Sequence, residues 1–148
     1  GPVIRPVFLH GALVQTGLVA FAAAAVSGIV ALRECEDDVV QQVAIYQNRR
    51  DVLCRGLEAM GWEVTPPKAG MFVWVKIPEP YSEMGSMEFS VQMMEHANVA
   101  MAPGIGFGQE GEGYLRLALV ENEHRIRQAL RQMKRALPDI LTSFRKSA

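Results

Sequence analysis

One residue in this sequence stands where chemistry is to be expected of it. Arg116 interrupts the apolar run Tyr114-Leu115-Arg116-Leu117-Ala118-Leu119-Val120, which reads as a mostly buried strand. A charge in that setting needs a partner, because burying it unpaired is too costly. Two partners are open: a carboxylate of the chain itself, giving a structural ion pair, or an anionic ligand. On these residues alone the ion pair is the simpler reading. The planar fork of a guanidinium matches a carboxylate through two parallel hydrogen bonds. Just ahead of the strand, Pro103-Gly104-Ile105-Gly106-Phe107-Gly108-Gln109-Glu110-Gly111 forms a glycine-rich loop. Such a loop is free to take positive φ and to bring backbone close to a ligand. Arginine and loop together make a candidate anion site.

Other chemistries find little support. Gly106 to Gly111 fits a GxGxxG string, but a dinucleotide fingerprint opens a helix after a strand, and this one opens a strand. The sequence has no P-loop, HExxH or GxSxG motif. His10, His96 and His124 are scattered and give no metal-ligand spacing. No nucleophile–base pair follows from spacing, so no residue is assigned as catalytic, cofactor-binding or metal-binding.

The elements that must position the arginine read as follows. Gly11 to Leu32 carries no charge and is long enough to span a membrane. Its alanines, Gln15, Thr16, Ser27 and three glycines favour a buried or interface helix over a span. Residues 1–10 are short and broken by Pro2 and Pro6. Arg33 to Met60 shows helical spacing through Val39, Val43, Tyr46, Leu53 and Leu57, with Gly61 as its C-cap. Trp62 to Thr65 and Met71 to Ile77 read as an antiparallel hairpin. Ser86 is placed to cap a helix from Met87 to Ala97, with His96 near its end serving the dipole. Val99 to Ala102 is a short strand, and the arginine strand follows. Asn122 caps a helix to about Leu137, and Pro138 opens a last short one. This order predicts an α+β fold, a small sheet covered by helices, preceded by an apolar helix.

Composition narrows the function classes. The chain has 148 residues, 49% of them apolar, and a net charge of −1. That gives no electrostatic case for nucleic acid or an anionic membrane. Cys35 and Cys54 lack a metal spacing and do not form a secreted disulfide framework, so a reduced, cytoplasmic setting fits. Gly1-Pro2 opens without Met and no signal-peptide pattern follows, as in a fragment.

From about Arg49 onward the chain resembles the carboxy-terminal part of class I/II, fold type I, pyridoxal-phosphate aminotransferases. The likeness rests on Arg49-Arg50-Asp51-Val52-Leu53, Gly56-Leu57, Gly61-Trp62 and Pro67-Lys68-Ala69-Gly70-Met71-Phe72-Val73-Trp74. It continues through Val99-Ala100-Met101-Ala102-Pro103-Gly104, Phe107-Gly108 and Tyr114 to Leu119. Lys76 to Tyr81, Met84 to Ser86, Glu88-Phe89 and Glu121-Asn122 resemble the bacterial alanine (glutamate–pyruvate) and LL-diaminopimelate aminotransferase branch.

The resemblance implies that residues 34–148 are a C-terminal small domain, preceded by an apolar helix in 1–33. Such a domain closes over a cofactor, pyridoxal 5′-phosphate, held by a separate large domain. It implies that Arg116 binds the substrate's α-carboxylate, and that Gly104, Phe107 and Gly108 lie in a loop at the substrate entrance. The family's Schiff-base lysine lies upstream, and Lys68, Lys76, Lys134 and Lys146 are not in its motif. The expectation is thus a fragment that is inactive alone and binds no cofactor, from a homo-oligomeric cytoplasmic enzyme acting on an amino acid and a 2-oxo acid. The alternative is a non-catalytic α+β domain that self-associates through residues 11–32.

Overall fold

The computed structural model describes residues 4–147. The chain divides into two compact units, Gly1–Val43 and Ala44–Ala148. In the first, helix α1 runs from Ile4 to Glu34. It starts earlier than residues 1–10 predict. Pro6 falls in its first turn, where a missing N–H breaks no intrahelical bond; Pro2 lies outside the described residues. Every side chain from Gly11 to Glu34 is exposed. Helix α2, Glu36–Glu58, follows after a break at Cys35. Glu36, Asp37 and Asp38 occupy its first turn, where the positive end of the helix dipole favours carboxylates. Of its apolar stripe, Leu53 and Leu57 are buried, whereas Val39 and Val43 are exposed. Gly61 takes φ 84°, and Trp62 N–H returns to the carbonyl of Leu57 at 3.1 Å, closing the helix end.

The second unit holds an antiparallel sheet of β1 (Phe72–Lys76), β2 (Ala102–Pro103) and β3 (Tyr114–Ala118), in the order β1-β3-β2. Trp74 faces Arg116 across one pair, and Ala102 faces Arg116 across the other. The expected hairpin between 62–65 and 71–77 is reduced to a single bridge, Val64 to Val75. Pro66 and Pro67 follow at once and have no N–H to extend the ladder. The real partner of β1 is β3. The strand expected at 99–102 shrinks to Ala102–Pro103.

Side chains alternate across this sheet. Val73, Val75, Leu115 and Leu117 point into the core. There they meet Phe89 and Met93 of α3 (Gly85–Ala97) and Met133 and Ile140 of α4 (Glu123–Ser147). Both helices thus lie on one face of the sheet, the α+β layering that the element order predicts. Asn122 caps α4, its Oδ1 accepting from Arg125 N–H at 3.0 Å. Pro138 does not start a new helix; it sits inside α4, on the exposed side. Two residues on, Ile140 is wholly buried and keeps the helix on course. Among the described residues α3 has no side-chain N-cap from within. Ser86, expected in that role, is buried in its first turn instead.

Candidate functional site: an arginine on the open face of the sheet

The alternation places Arg116 on the side of β3 away from the core. The apolar run is therefore not buried on both faces. Its outward residues, Tyr114, Ala118 and Val120, are exposed, and Arg116 is half-buried. Its guanidinium is held by aromatic rings. The Cζ lies 4.2 Å from the centre of the Phe72 ring and 4.0 Å from that of Phe107. Phe107 in turn meets Trp74 edge to face, with centroids 5.4 Å apart. Cation–π contacts of this kind contribute about 0.5–1 kcal/mol each at exposed sites, and more when desolvated. Among the described residues Arg116 has no hydrogen bond or ion pair to the chain; the ion pair that its residues alone favour is not formed. Both rings lie against the guanidinium, and among the described residues none of its N–H donors is taken by the chain, which leaves them for an acceptor.

Phe72 and Trp74 reach this face because they are the outward residues of β1, with Trp74 directly opposite Arg116. Phe107 comes from the glycine loop. Gly104 to Phe107 forms one 3-10 turn, and Gly108, at φ 117°, redirects the chain into a second at Gln109–Gly111. Only glycine takes such a φ without strain. Gly104 is needed for another reason: a Cβ there would collide with the carbonyl of Gly111 and lie 2.6 Å from that of Tyr114. Gly104 and Gly111 thus meet backbone to backbone at the neck of the loop. The loop residues Gly104, Phe107 and Gly108 and the strand residue Arg116 are brought together, with Phe107 as the contact between them.

Glu112, Ser86 and Phe72 are structural members of this arrangement that sequence spacing does not reveal. Glu112 takes Ser86 N–H and, at 2.9 Å, the Ser86 hydroxyl. Ser86 Oγ accepts Ile105 N–H at 3.1 Å. These two donors, the backbone one first, hold the Glu112 carboxyl below its ordinary pKa. Glu112 is 26 residues from Ser86, so no local pattern announces the pair. On the other side of the unit Arg49 donates to the carbonyls of Leu119 and Val120 at 3.1 Å each, fixing the chain where it leaves β3. A cavity of about 330 Å³ lies beside β3, lined by Leu53, Val99, Leu117, Glu121, Arg125 and Met133 among others. Neither Arg116 nor the glycine loop contributes to it. Among the described residues no three His, Cys, Asp or Glu side chains gather as a metal site.

A family model described as aminotransferase class I and II matches residues 4–133. That is wider than the stretch from Arg49 onward and takes in α1. The chain is 49% identical over 111 residues to the glutamate-pyruvate aminotransferase AlaC of Escherichia coli, covering 75% of this chain and 26% of that protein. It is 42% identical over 114 residues to an LL-diaminopimelate aminotransferase of Halothermothrix orenii, covering 77% and 28%. The chain therefore spans little more than a quarter of the length of these curated relatives. Among solved structures it is similar to an aromatic aminotransferase from Pyrococcus horikoshii, with a TM-score of 0.67 and 28% identity over 72% of this chain and 28% of that one. With a family match over most of its length and relatives of this identity, the chain belongs to the class I and II aminotransferases.

Proposed function

We propose that residues 34–148 form the carboxy-terminal small domain of a pyridoxal-phosphate aminotransferase, and that Arg116 binds the substrate's α-carboxylate. The observation that carries this is the state of Arg116: its guanidinium lies against the rings of Phe72 and Phe107, on the open face of the sheet, with no hydrogen bond or ion pair among the described residues. A guanidinium held in this way is pre-oriented for a bidentate anion, which lowers the ordering cost of binding. Similarity to glutamate-pyruvate and LL-diaminopimelate aminotransferases supports an amino acid such as alanine or glutamate, with its 2-oxo acid, as the substrate pair. The parent enzyme is a cytoplasmic homo-oligomer in this reading.

The residues of this chain do not by themselves fit the cofactor. Lys68, Lys76, Lys134 and Lys146 are all exposed, whereas a lysine that bonds pyridoxal phosphate is enclosed and desolvated. The Schiff-base lysine belongs to another part of the parent enzyme, and this chain supplies carboxylate binding and the Gly104–Gly108 loop at the substrate entrance. When bound, the cofactor supplies the electron sink for amino-group transfer. The chain's share is to orient the substrate.

Two experiments test the reading. In the parent enzyme, assayed with alanine and 2-oxoglutarate, Arg116→Lys should raise KM about tenfold, since a point charge replaces the two-pronged donor. An unchanged KM ends the carboxylate role. The 148-residue chain, treated with pyridoxal phosphate and borohydride, should gain no stoichiometric label; a specific label on one of its four lysines contradicts its inactivity. A second reading rests on α1, whose side chains from Gly11 to Glu34 are all exposed: a non-catalytic domain that self-associates through residues 11–32. Light scattering decides it, because deleting residues 1–33 should turn an oligomer into a monomer; a monomeric intact chain rules it out.

A further inference from the structure

The loop that brings Phe107 to Arg116 is held at two points. One is its neck, where Gly104 and Gly111 meet backbone to backbone. The other is a relay of hydrogen bonds from Glu112 through Ser86 to Ile105 N–H. Ser86 is wholly buried, so its N–H and hydroxyl depend on partners from the chain, and Glu112, itself exposed, supplies the carboxylate that meets both. It joins three elements: the first turn of α3, the start of the loop, and the residue that leads into β3. Ile105 is two residues from Phe107, within the same 3-10 turn. Fixing its N–H therefore fixes where the Phe107 ring stands, and that ring is one of the two walls of Arg116.

We propose that Glu112 is a positioning residue: acting through Ser86, it sets the 104–108 loop so that Phe107 stays stacked on Arg116 and the guanidinium keeps its edge toward an anion. Glu112 does not touch the anion. The last step, toward an anion, rests on the carboxylate role of Arg116; the steps before it do not.

The test is made on the intact chain by nuclear magnetic resonance. Glu112→Ala should speed hydrogen exchange at Ile105 N–H about tenfold, the equivalent of one lost hydrogen bond. It should also move the Arg116 Nε–H signal as the Phe107 ring current is lost, and leave the amides of Val73 and Leu117 in the sheet as protected as before. Glu112→Gln, which keeps an acceptor of the same length, should fall between the two. Phe107→Ala should move the Arg116 signal while Ile105 stays protected. Unchanged Ile105 exchange and an unmoved Arg116 signal in Glu112→Ala overturn the proposal. So does an equal loss of protection at Val73 and Leu117, which marks general scaffolding. Titration with pyruvate then separates the two readings. If the unsubstituted chain binds it at Arg116, Glu112→Ala should weaken binding about tenfold. If the unsubstituted chain does not, the carboxylate role of Arg116 is decided by the KM of Arg116→Lys in the parent enzyme, and the positioning role by exchange and the Arg116 signal.

Discussion

Replacing Gly104 by alanine should break the loop, and replacing Gly106 two residues later should not. A methyl group at 104 would collide with the carbonyl oxygen of Gly111, and would lie 2.6 Å from the carbonyl oxygen of Tyr114 and 2.8 Å from the carbonyl carbon of Gly111. All three atoms are backbone, so no side-chain rotation relieves the contact, and the neck must open by more than half an ångström. Overpacking of this kind costs about 2–3 kcal/mol. The stiffer unfolded chain gives back about 0.5–1 kcal/mol, leaving a net loss of about 2 kcal/mol. For a unit of about 100 residues that lowers Tm by about 10 °C. At Gly106 an added Cβ meets nothing within 4 Å and φ is ordinary, so only the unfolded-state term remains, and Tm should hold or rise slightly. Thermal melts followed by circular dichroism measure both. Trp74 emission, which senses Phe107 at 5.4 Å, should change in Gly104→Ala alone. Equal melting temperatures for the two variants would refute the reasoning about the neck.

Three further outcomes follow from the same contacts. Glu112 has a lowered pKa in the folded chain, so its contribution is present above the ordinary glutamate value and is lost as pH falls through the lower folded one. The difference in Tm between the unsubstituted chain and Glu112→Gln should hold from pH 7 to 5 and shrink only below about pH 4.5; a difference already shrinking between pH 7 and 5 contradicts this. Asn122→Ala removes the cap on Arg125 N–H and should cost about 1 kcal/mol in urea melts, with no cost expected if the bond is not made in solution. Leu57 is wholly buried, and Leu57→Ala should cost about 2–5 kcal/mol by the same assay; a loss under 1 kcal/mol would place Leu57 outside the core.

How far the sequence could be read depended on whether a signal was local. Phe72 to Lys76 announced a strand by its β-branched and aromatic residues, and Asn122 announced a helix by capping chemistry; both are where they were expected. The partner of β1 was not readable, because pairing with β3 joins residues about forty positions apart and no turn chemistry marks it. Arg116 was read as buried because the outward residues of its strand, Tyr114, Ala118 and Val120, are themselves apolar, which hides the alternation. Ser86 had the type and place of a cap, but it lies inside the first turn, where its own N–H and hydroxyl are met by Glu112 from outside the helix. Pro138 looked like a boundary; burial of Ile140 one half-turn later outweighs the local penalty. The pairing of Arg116 with the glycine loop was legible in the sequence. Its aromatic walls were not, since Phe72 belongs to another strand.

The sheet also has two very different borders. At β2 the outer edge is two residues long and one of them is Pro103, which offers no N–H to an incoming chain. At β1 the outer edge is Phe72 to Lys76, covered among the described residues only by the bridge from Val64 to Val75. The segment Phe72-Val73-Trp74-Val75-Lys76-Ile77 has high β-propensity and one charge, Lys76, as its gatekeeper. Growth by strand addition is thus blocked on one side and restrained on the other by Lys76 and a single bridge. Substitutions that loosen residues 61–67 would therefore show first as intermolecular β-structure, seeded from β1, well before the core melts.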